Sequence, residues 1–183
     1  MKRCSWVNLN NENYIAYHDL EWGQASFDDN YLFEMLVLEM FQAGLNWETI
    51  LNKRISFKEA FDNFDVDKVS KYDDLKVDNL MTNKNIIRNR RKILASINNA
   101  KVFIRIKEEY GSFSNYMWHF TKGKVIKYRK PKTESALSKK ISIDLKKRGM
   151  SFVGSVIIYS YLQAIGVIDD HEKQCFKYGG ENV

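Results

Sequence analysis

No stretch of this sequence approaches the ~20 uninterrupted apolar residues that a membrane-spanning helix needs. The opening Met-Lys-Arg-Cys-Ser-Trp carries no apolar run of signal-peptide length, so the expected location is the cytoplasm, with no membrane partner. Cys4 and Cys175 are the only cysteines, near opposite ends of 183 residues. That excludes a disulfide-stapled scaffold. In a reducing compartment two such thiols are idle or metal-bound. Histidine is scarce too, at three residues, and Pro131 is the single proline. No convincing strand, internal repeat or low-complexity linker divides the chain. The fold class expected is all-α, one compact domain over residues 1–183, either undivided or two-lobed around a cleft.

Charge is unevenly spread. Residues 1–83 hold eight Lys/Arg against fifteen Asp/Glu, and residues 84–183 hold twenty-one against eight, so the halves carry −7 and +13. A basic half is the electrostatic footprint of a polyanion binder, although a solvated basic surface without a partner has the same composition. Two segments carry it. Lys84 to Lys92 joins a turn at Asn83-Lys84-Asn85 to a helix start, where free amides and cations together suit phosphate. Residues 122–148 add eleven Lys/Arg against two acids.

Helical periodicity dominates. Asp28-Asp29 precedes a run from Tyr31 to Ala43 that is apolar nearly all round, which predicts a central buried helix ending at Gly44. Asn46 caps a helix over Trp47–Arg54. Further helices are expected over Phe57–Phe61, Val66–Tyr72, Asp74–Met81, Ile87–Tyr110, Ser112–Phe120, Ala136–Arg148 and Ser155–Ile165. Residues 121–134 form a basic loop. Asp169 or Asp170 caps a last turn that carries His171 and Cys175.

Two constellations carry chemistry. Cys4 and His18 lie near the start, and His171 and Cys175 lie four apart near the end, a spacing that puts both on one helix face. Thiolate and imidazole suit zinc, and four protein ligands make a closed structural site that would join the termini. The alternative is two buried cysteines and two ordinary histidines. His119, between Trp118 and Phe120, is left as a core or surface residue. Second, Glu39 interrupts the most apolar helix, and a buried carboxylate requires a partner or a function. Leu36, Glu39, Ala43 and Trp47 follow i, i+3, i+7, i+11 spacing, so Glu39 and Trp47 face one cavity if the bend at Gly44 keeps their faces aligned. Trp6, Tyr14, Tyr17 and Trp22 flank the proposed ligands. Aromatic walls with one carboxylate suit a flat cationic ligand. Plain core packing of aromatics is the other reading.

These residues match a known pattern. Arg3-Cys4-Ser5-Trp6, the block from Tyr14 to Gly23 (with Tyr17-His18-Asp19), Leu38-Glu39, and Gln42-Ala43-Gly44-Leu45-Asn46-Trp47 come first. Asn85 to Lys92, Ala136-Leu137-Ser138, Leu145 to Gly149, Phe152-Val153-Gly154 and Asp170-His171 follow. In this order the chain resembles, almost end to end, the Tag-type 3-methyladenine-DNA glycosylases of bacteria, in the helix-hairpin-helix superfamily. The resemblance implies base-excision repair of DNA damage: hydrolysis of the N-glycosidic bond of 3-methyladenine in double-stranded DNA by base flipping. It implies one structural zinc on Cys4, His18, His171 and Cys175. It implies that Glu39, assigned the catalytic and base-reading role, contacts the excised base with Tyr17 and Trp47, and that Trp6, Tyr14 and Trp22 surround it. Gln42, Gly44 and Leu45 would approach the gap left by the flipped nucleotide, and Lys84, Arg88, Arg90 and Arg91 the phosphates. The family lacks the catalytic aspartate of related glycosylases, and the pocket motifs hold no Schiff-base lysine, so strand cleavage is not expected. A monomer is expected. The sequence departs from the pattern at Asn46, usually Ser, and at Lys84-Asn85, commonly Ala-Gly, where Asn would supply left-handed backbone. The segment before Ala136 is compressed and unusually basic. A non-catalytic DNA-binding module and a glycosylase for another alkylated base are the rival readings.

Overall fold

The computed structural model describes residues 1–128 and 132–179; Arg129, Lys130 and Pro131 of the expected basic loop lie outside them. The described residues form nine α-helices: α1 (Glu12–Leu20), α2 (Asp29–Gln42), α3 (Trp47–Ala60), α4 (Val66–Val69), α5 (Asp74–Thr82), α6 (Arg90–Tyr110), α7 (Phe113–His119), α8 (Ala136–Lys147) and α9 (Ser155–Ala164). Eight of them begin behind an Asn, Asp or Ser whose side chain accepts from first-turn N–H groups, Asn46, Asp65, Ser112 and Ser135 among them. Each such cap contributes about 1 kcal/mol. Only α9, behind Gly154, has no side-chain cap.

α2 is the central helix. Every residue from Leu32 to Phe41 is buried, and α3, α6, α7 and α9 pack around it. The buried apolar side chains form one contiguous cluster. Among the described residues no helix is long and apolar enough to cross a membrane.

Several elements differ from expectation. Trp47–Arg54 and Phe57–Phe61 are one helix, because Ile55-Ser56 contains no residue that stops it. The helix expected from Ile87 starts at Arg90, where Asn89 accepts from Lys92 N, so the preceding turn is longer. The helix begun at Val66 stops at Val69. α1 was not anticipated. It buries only Tyr17 and His18, which gives no readable apolar stripe, and Asn11 caps it. Two two-residue strands, β1 (Ile126–Lys127) and β2 (Ile168–Asp169), pair in parallel, too short for alternation to show. His171 and Cys175 lie in a chain of turns, not on a helix face, with Cys175 N donating to Glu172 O at 2.7 Å.

Those last turns lie against the N-terminal segment. Phe176 N donates to Lys2 O at 2.9 Å. Ser5 donates to both carboxylate oxygens of Glu172, from its N at 2.9 Å and its Oγ at 2.6 Å. The two ends of the described chain therefore meet, beside α1.

Candidate active site and metal cluster

A cavity of about 820 Å³ opens between α1, the α2–α3 corner, α9 and the C-terminal turns. Trp6, Tyr14, Tyr17, Trp22, Glu39 and Trp47 line it, so the structure brings together the six side chains that the sequence grouped. Gln42 lines it too. The aromatic wall is continuous: Trp6 lies 4.9 Å from Trp22 and 5.4 Å from Tyr14, ring centre to ring centre, and Tyr17 lies 5.3 Å from Trp47. The Trp47 indole N–H is buried without a hydrogen-bond partner among the described residues.

Glu39 is the chemical centre of this cavity, and comparison with Glu34 shows why. Both carboxylates are buried on α2, at 4% and 3% exposure. Glu34 is paired: Arg54 Nε lies at 2.7 Å and Lys58 Nζ at 3.4 Å. Glu39 has neither an ion pair nor a hydrogen bond among the described residues, and burial alone pushes its carboxyl up to about 8. A buried carboxyl that faces a cavity rather than a cation makes Glu39 the candidate ligand-binding group of this site. Burial first, and Glu39 second, holds the Tyr17 hydroxyl well above its usual range, so it stays a donor.

The opposite side of the cavity was not legible in the sequence. Asp170 lines it. One of its oxygens accepts from the Tyr159 hydroxyl and from Gln163 Nε2, the latter at 2.8 Å, and the other is buried without a partner. The sequence offered Asp170 only as a cap of the last turn and as the neighbour of His171. Lys132 and Lys173 also reach the cavity. Both are exposed, which is not the desolvated setting that activates a lysine as a nucleophile.

Behind the aromatic wall sits a metal-type cluster. One ligand atom each from Cys4, His18 and Cys175 lie within 4.8 Å of one another, and all three residues are buried. His18 Nδ1 is 2.7 Å from Asp19 Oδ1, which leaves Nε2 facing Cys175 Sγ at 3.4 Å. His171 repeats this arrangement. Its Nδ1 is 2.6 Å from Asp169 Oδ1, and its Nε2 is buried with no partner. The rings of the two histidines are 5.3 Å apart. Imidazoles whose outer nitrogens are held by carboxylates are the usual second layer of a metal site. His171, expected as a fourth ligand, is not one of the three residues grouped here, although its Nε2 faces no partner among the described residues. Gly23 makes room for the His171 ring: at φ +74°, a Cβ there would lie 2.7 Å from His171 Cε1. His119 lies apart, its Nδ1 2.5 Å from Tyr116 O.

The residues expected to meet DNA surround the N-terminus of α6. Gly44, at φ +84°, has open space where a side chain would be, and Leu45 beside it is 40% exposed. Lys84, Arg88 and Arg91 are exposed. Arg90 is exposed too, but Arg90 Nη1 pairs with Asp78 Oδ1 at 2.5 Å. Asn85 does not take the left-handed backbone expected of it; Asn83 Oδ1 accepts from its N–H instead, at 2.9 Å. Left-handed backbone occurs at Gly149 and Phe152, in the turn between α8 and α9. The Arg91 guanidinium sits 6.0 Å from the Phe152 ring, so the two turns are neighbours. The last turn of α8 is basic, with Lys146 and Lys147, and the start of α9 has no side-chain cap.

The comparisons with known proteins agree with this geometry. The sequence profile described as methyladenine glycosylase matches residues 6–178. The DNA-3-methyladenine glycosylase of Haemophilus influenzae is 41% identical over 178 residues, covering 94% of this chain and 96% of its own. DNA-3-methyladenine glycosylase 1 of Escherichia coli K12 is 39% identical, covering 98% of each. The crystallised 3-methyladenine DNA glycosylase I of Staphylococcus aureus, solved for its recognition of 3-methyladenine, superimposes with a TM-score of 0.93 at 36% identity, covering 100% of this chain and 99% of its own. The chain belongs to the methyladenine glycosylase family.

Proposed function

We propose that this chain, as a single domain and a cytoplasmic monomer, excises 3-methyladenine from alkylated double-stranded DNA, the first step of base-excision repair, and leaves the strand uncut. The observation that carries the reading is Glu39, buried and unpartnered in an aromatic cavity. Methylation at N3 places positive charge on the ring. A cation arriving beside Glu39 favours its ionised form, and the aromatic faces add attraction of about 2 kcal/mol when dry.

The target must leave the stack, at a cost of a few kcal/mol that is smaller for a damaged base. Leu45 and Gln42, joined by a hydrogen bond at the corner after α2, would fill the gap. Lys84, Arg88 and Arg91, around the α5–α6 turn read as the hairpin of a helix-hairpin-helix unit, would hold the DNA backbone. The neighbouring uncapped N-terminus of α9 offers free N–H groups to a second phosphate. The C1′–N9 bond breaks with its electron pair passing to N9, so the base departs neutral. Water then adds its oxygen to C1′ and loses its proton. Because the leaving group is already activated, little acid catalysis is required. Glu39 reads the base through hydrogen bonds to its edge, and Tyr17 and Trp47 hold its face.

Cys4, His18 and Cys175 would hold one zinc ion per chain, with the unpartnered His171 Nε2 as its fourth ligand. Bound there, it would serve a structural role by linking the two ends of the chain.

Chromatography of the bases released from methylated duplex DNA tests the reading. Free 3-methyladenine with intact strands is expected. Binding without release would point to a non-catalytic module, and release of a different base to another specificity.

A further inference from the structure

Lys92 is a lysine in the wrong place for a solvated helix face. It lies in the first turn of α6 at 6% exposure, and among the described residues no carboxylate pairs with it. Its Nζ donates instead to two main-chain carbonyls of another element, Phe41 O at 2.8 Å and Ala43 O at 2.7 Å, with the Phe41 ring 6.0 Å away. These carbonyls belong to the C-terminal end of α2.

The last carbonyls of a helix have no partner within it, and cations there interact well with the helix dipole. α2 has no basic residue in its last turn. Lys92 fills that role from across the core. The corner it pins is closed on itself: Leu45 N donates to Gln42 O at 2.7 Å, and Gln42 Nε2 donates to Leu45 O at 2.9 Å. Leu45 and Gln42 therefore move with the two carbonyls that Lys92 holds.

The same helix organises the other two turns on this face. Arg91, one residue earlier, lies against Phe152. One and a half to two turns further on, Asn98 Nδ2 donates to Gly149 O at 2.7 Å, and Asn99 exchanges two hydrogen bonds with Ser151, both at 2.9 Å. From the α3 side, Lys53 Nζ donates to Asn85 O at 3.1 Å. One rigid helix thus sets the spacing between the corner at 43–46 and the two turns that carry the cations.

We infer that Lys92 is a positioning residue for duplex DNA: by gripping the C-terminal carbonyls of α2 it fixes where Leu45 and Gln42 enter the base stack relative to the phosphate-holding turns. The inference rests on the glycosylase reading above. Lys92 does not line the cavity, and both carbonyls occupy its ammonium, so it acts through the corner and not on the base.

The test exploits the duplex. In a single strand the target is already unstacked, so a wedge matters little there. Lys92→Met keeps an apolar stem and removes the ammonium. Release of 3-methyladenine from methylated duplex should fall about tenfold or more, as expected when a remote group misplaces a reacting geometry. Release from the same DNA after heat denaturation should stay within about threefold of wild type, since no stack must be opened. Binding of free 3-methyladenine, followed by tryptophan fluorescence, should not change. In a double-mutant cycle with Leu45→Ala the two duplex losses should not add, because both act through one corner. Equal losses on duplex and denatured DNA, unaltered duplex release, or additive losses would each overturn the inference. Should the methionine variant fail to fold, Lys92→Arg keeps the cation and its donors on a longer stem. It should show the same duplex-selective pattern in smaller measure, and equal losses on the two DNA forms would overturn the inference. A wild-type chain that releases no base from either form would overturn both this inference and the glycosylase reading.

Discussion

Replacing Glu39 by Gln should make the protein less active and more stable, and the gain in stability should grow with pH. The carboxyl sits at about 8 in the folded chain against 4.5 in the free side chain, with burial as the sole cause. Between those values the folded state keeps a proton that the unfolded state has lost. Such a group contributes most stability below about 4.5, and that contribution disappears as pH rises towards the folded value. At pH 7 the cost is roughly 3 kcal/mol, an upper bound because water in the open cavity softens burial. Glutamine keeps the shape and carries no proton equilibrium, so it removes this cost. For a chain of this length, 1 kcal/mol moves the melting temperature by about 2–4 °C, so a gain on the order of 5–10 °C at pH 7–8 is expected, shrinking towards pH 5. Release of 3-methyladenine should fall by roughly 10–100-fold, the worth of one charge-assisted hydrogen bond of about 1.5–3 kcal/mol. Thermal melts from pH 5 to 8 and base release on one preparation measure both. A lower melting temperature for the variant would mean that Glu39 satisfies some group in the fold, as Glu34 satisfies Arg54, and would refute the reasoning. A pH-independent difference would refute the burial argument.

The cluster of Cys4, His18, His171 and Cys175 predicts one zinc per purified chain; His171→Ala should lower both the zinc content and the melting temperature, and elemental analysis showing no stoichiometric metal in unchelated protein would remove the ion. Each phosphate contact contributes about 0.9 to the slope of log affinity against log salt, so Arg88→Ala with Arg91→Ala should flatten the slope by about 2. Arg90→Ala should flatten it less, because Arg90 already pairs with Asp78. Trp47→Phe keeps a stacking face and removes the buried unpartnered indole N–H; fluorescence titration should show weaker 3-methyladenine binding, while the melting temperature stays unchanged or rises.

The helices were readable where sequence and local chemistry agree. Asn46, Asp65, Ser112 and Ser135 announce their helices because a cap acts within three residues. α1 was unreadable because it buries only Tyr17, against Trp47, and His18, beside Cys175, rather than an apolar stripe. The ligand residues could be grouped by type, but their approach could not be derived. His171 and Cys175 lie in turns rather than on one helix face, and only the tertiary structure shows Asp19 and Asp169 behind the imidazoles. Glu39 stood out as a charge in an apolar helix, yet Glu34 stands in the same helix. Only tertiary structure shows that Arg54 and Lys58 answer one and nothing answers the other. Asp170 was legible only as a cap and Lys92 only as one cation of a basic segment, for the same reason: their roles lie in partners 7 to 51 residues away.

The account turns on Glu39 meeting the excised base, and the carbon-13 resonance of its side-chain carboxyl reports that most directly. In the empty cavity the resonance should titrate near 8. Adding 3-methyladenine should shift it and move its midpoint downward, because donors on the base edge favour the ionised form; adding adenine should leave it nearly unchanged. A Glu39 resonance that titrates near 4.5, or that ignores 3-methyladenine while the base is bound, would contradict the account.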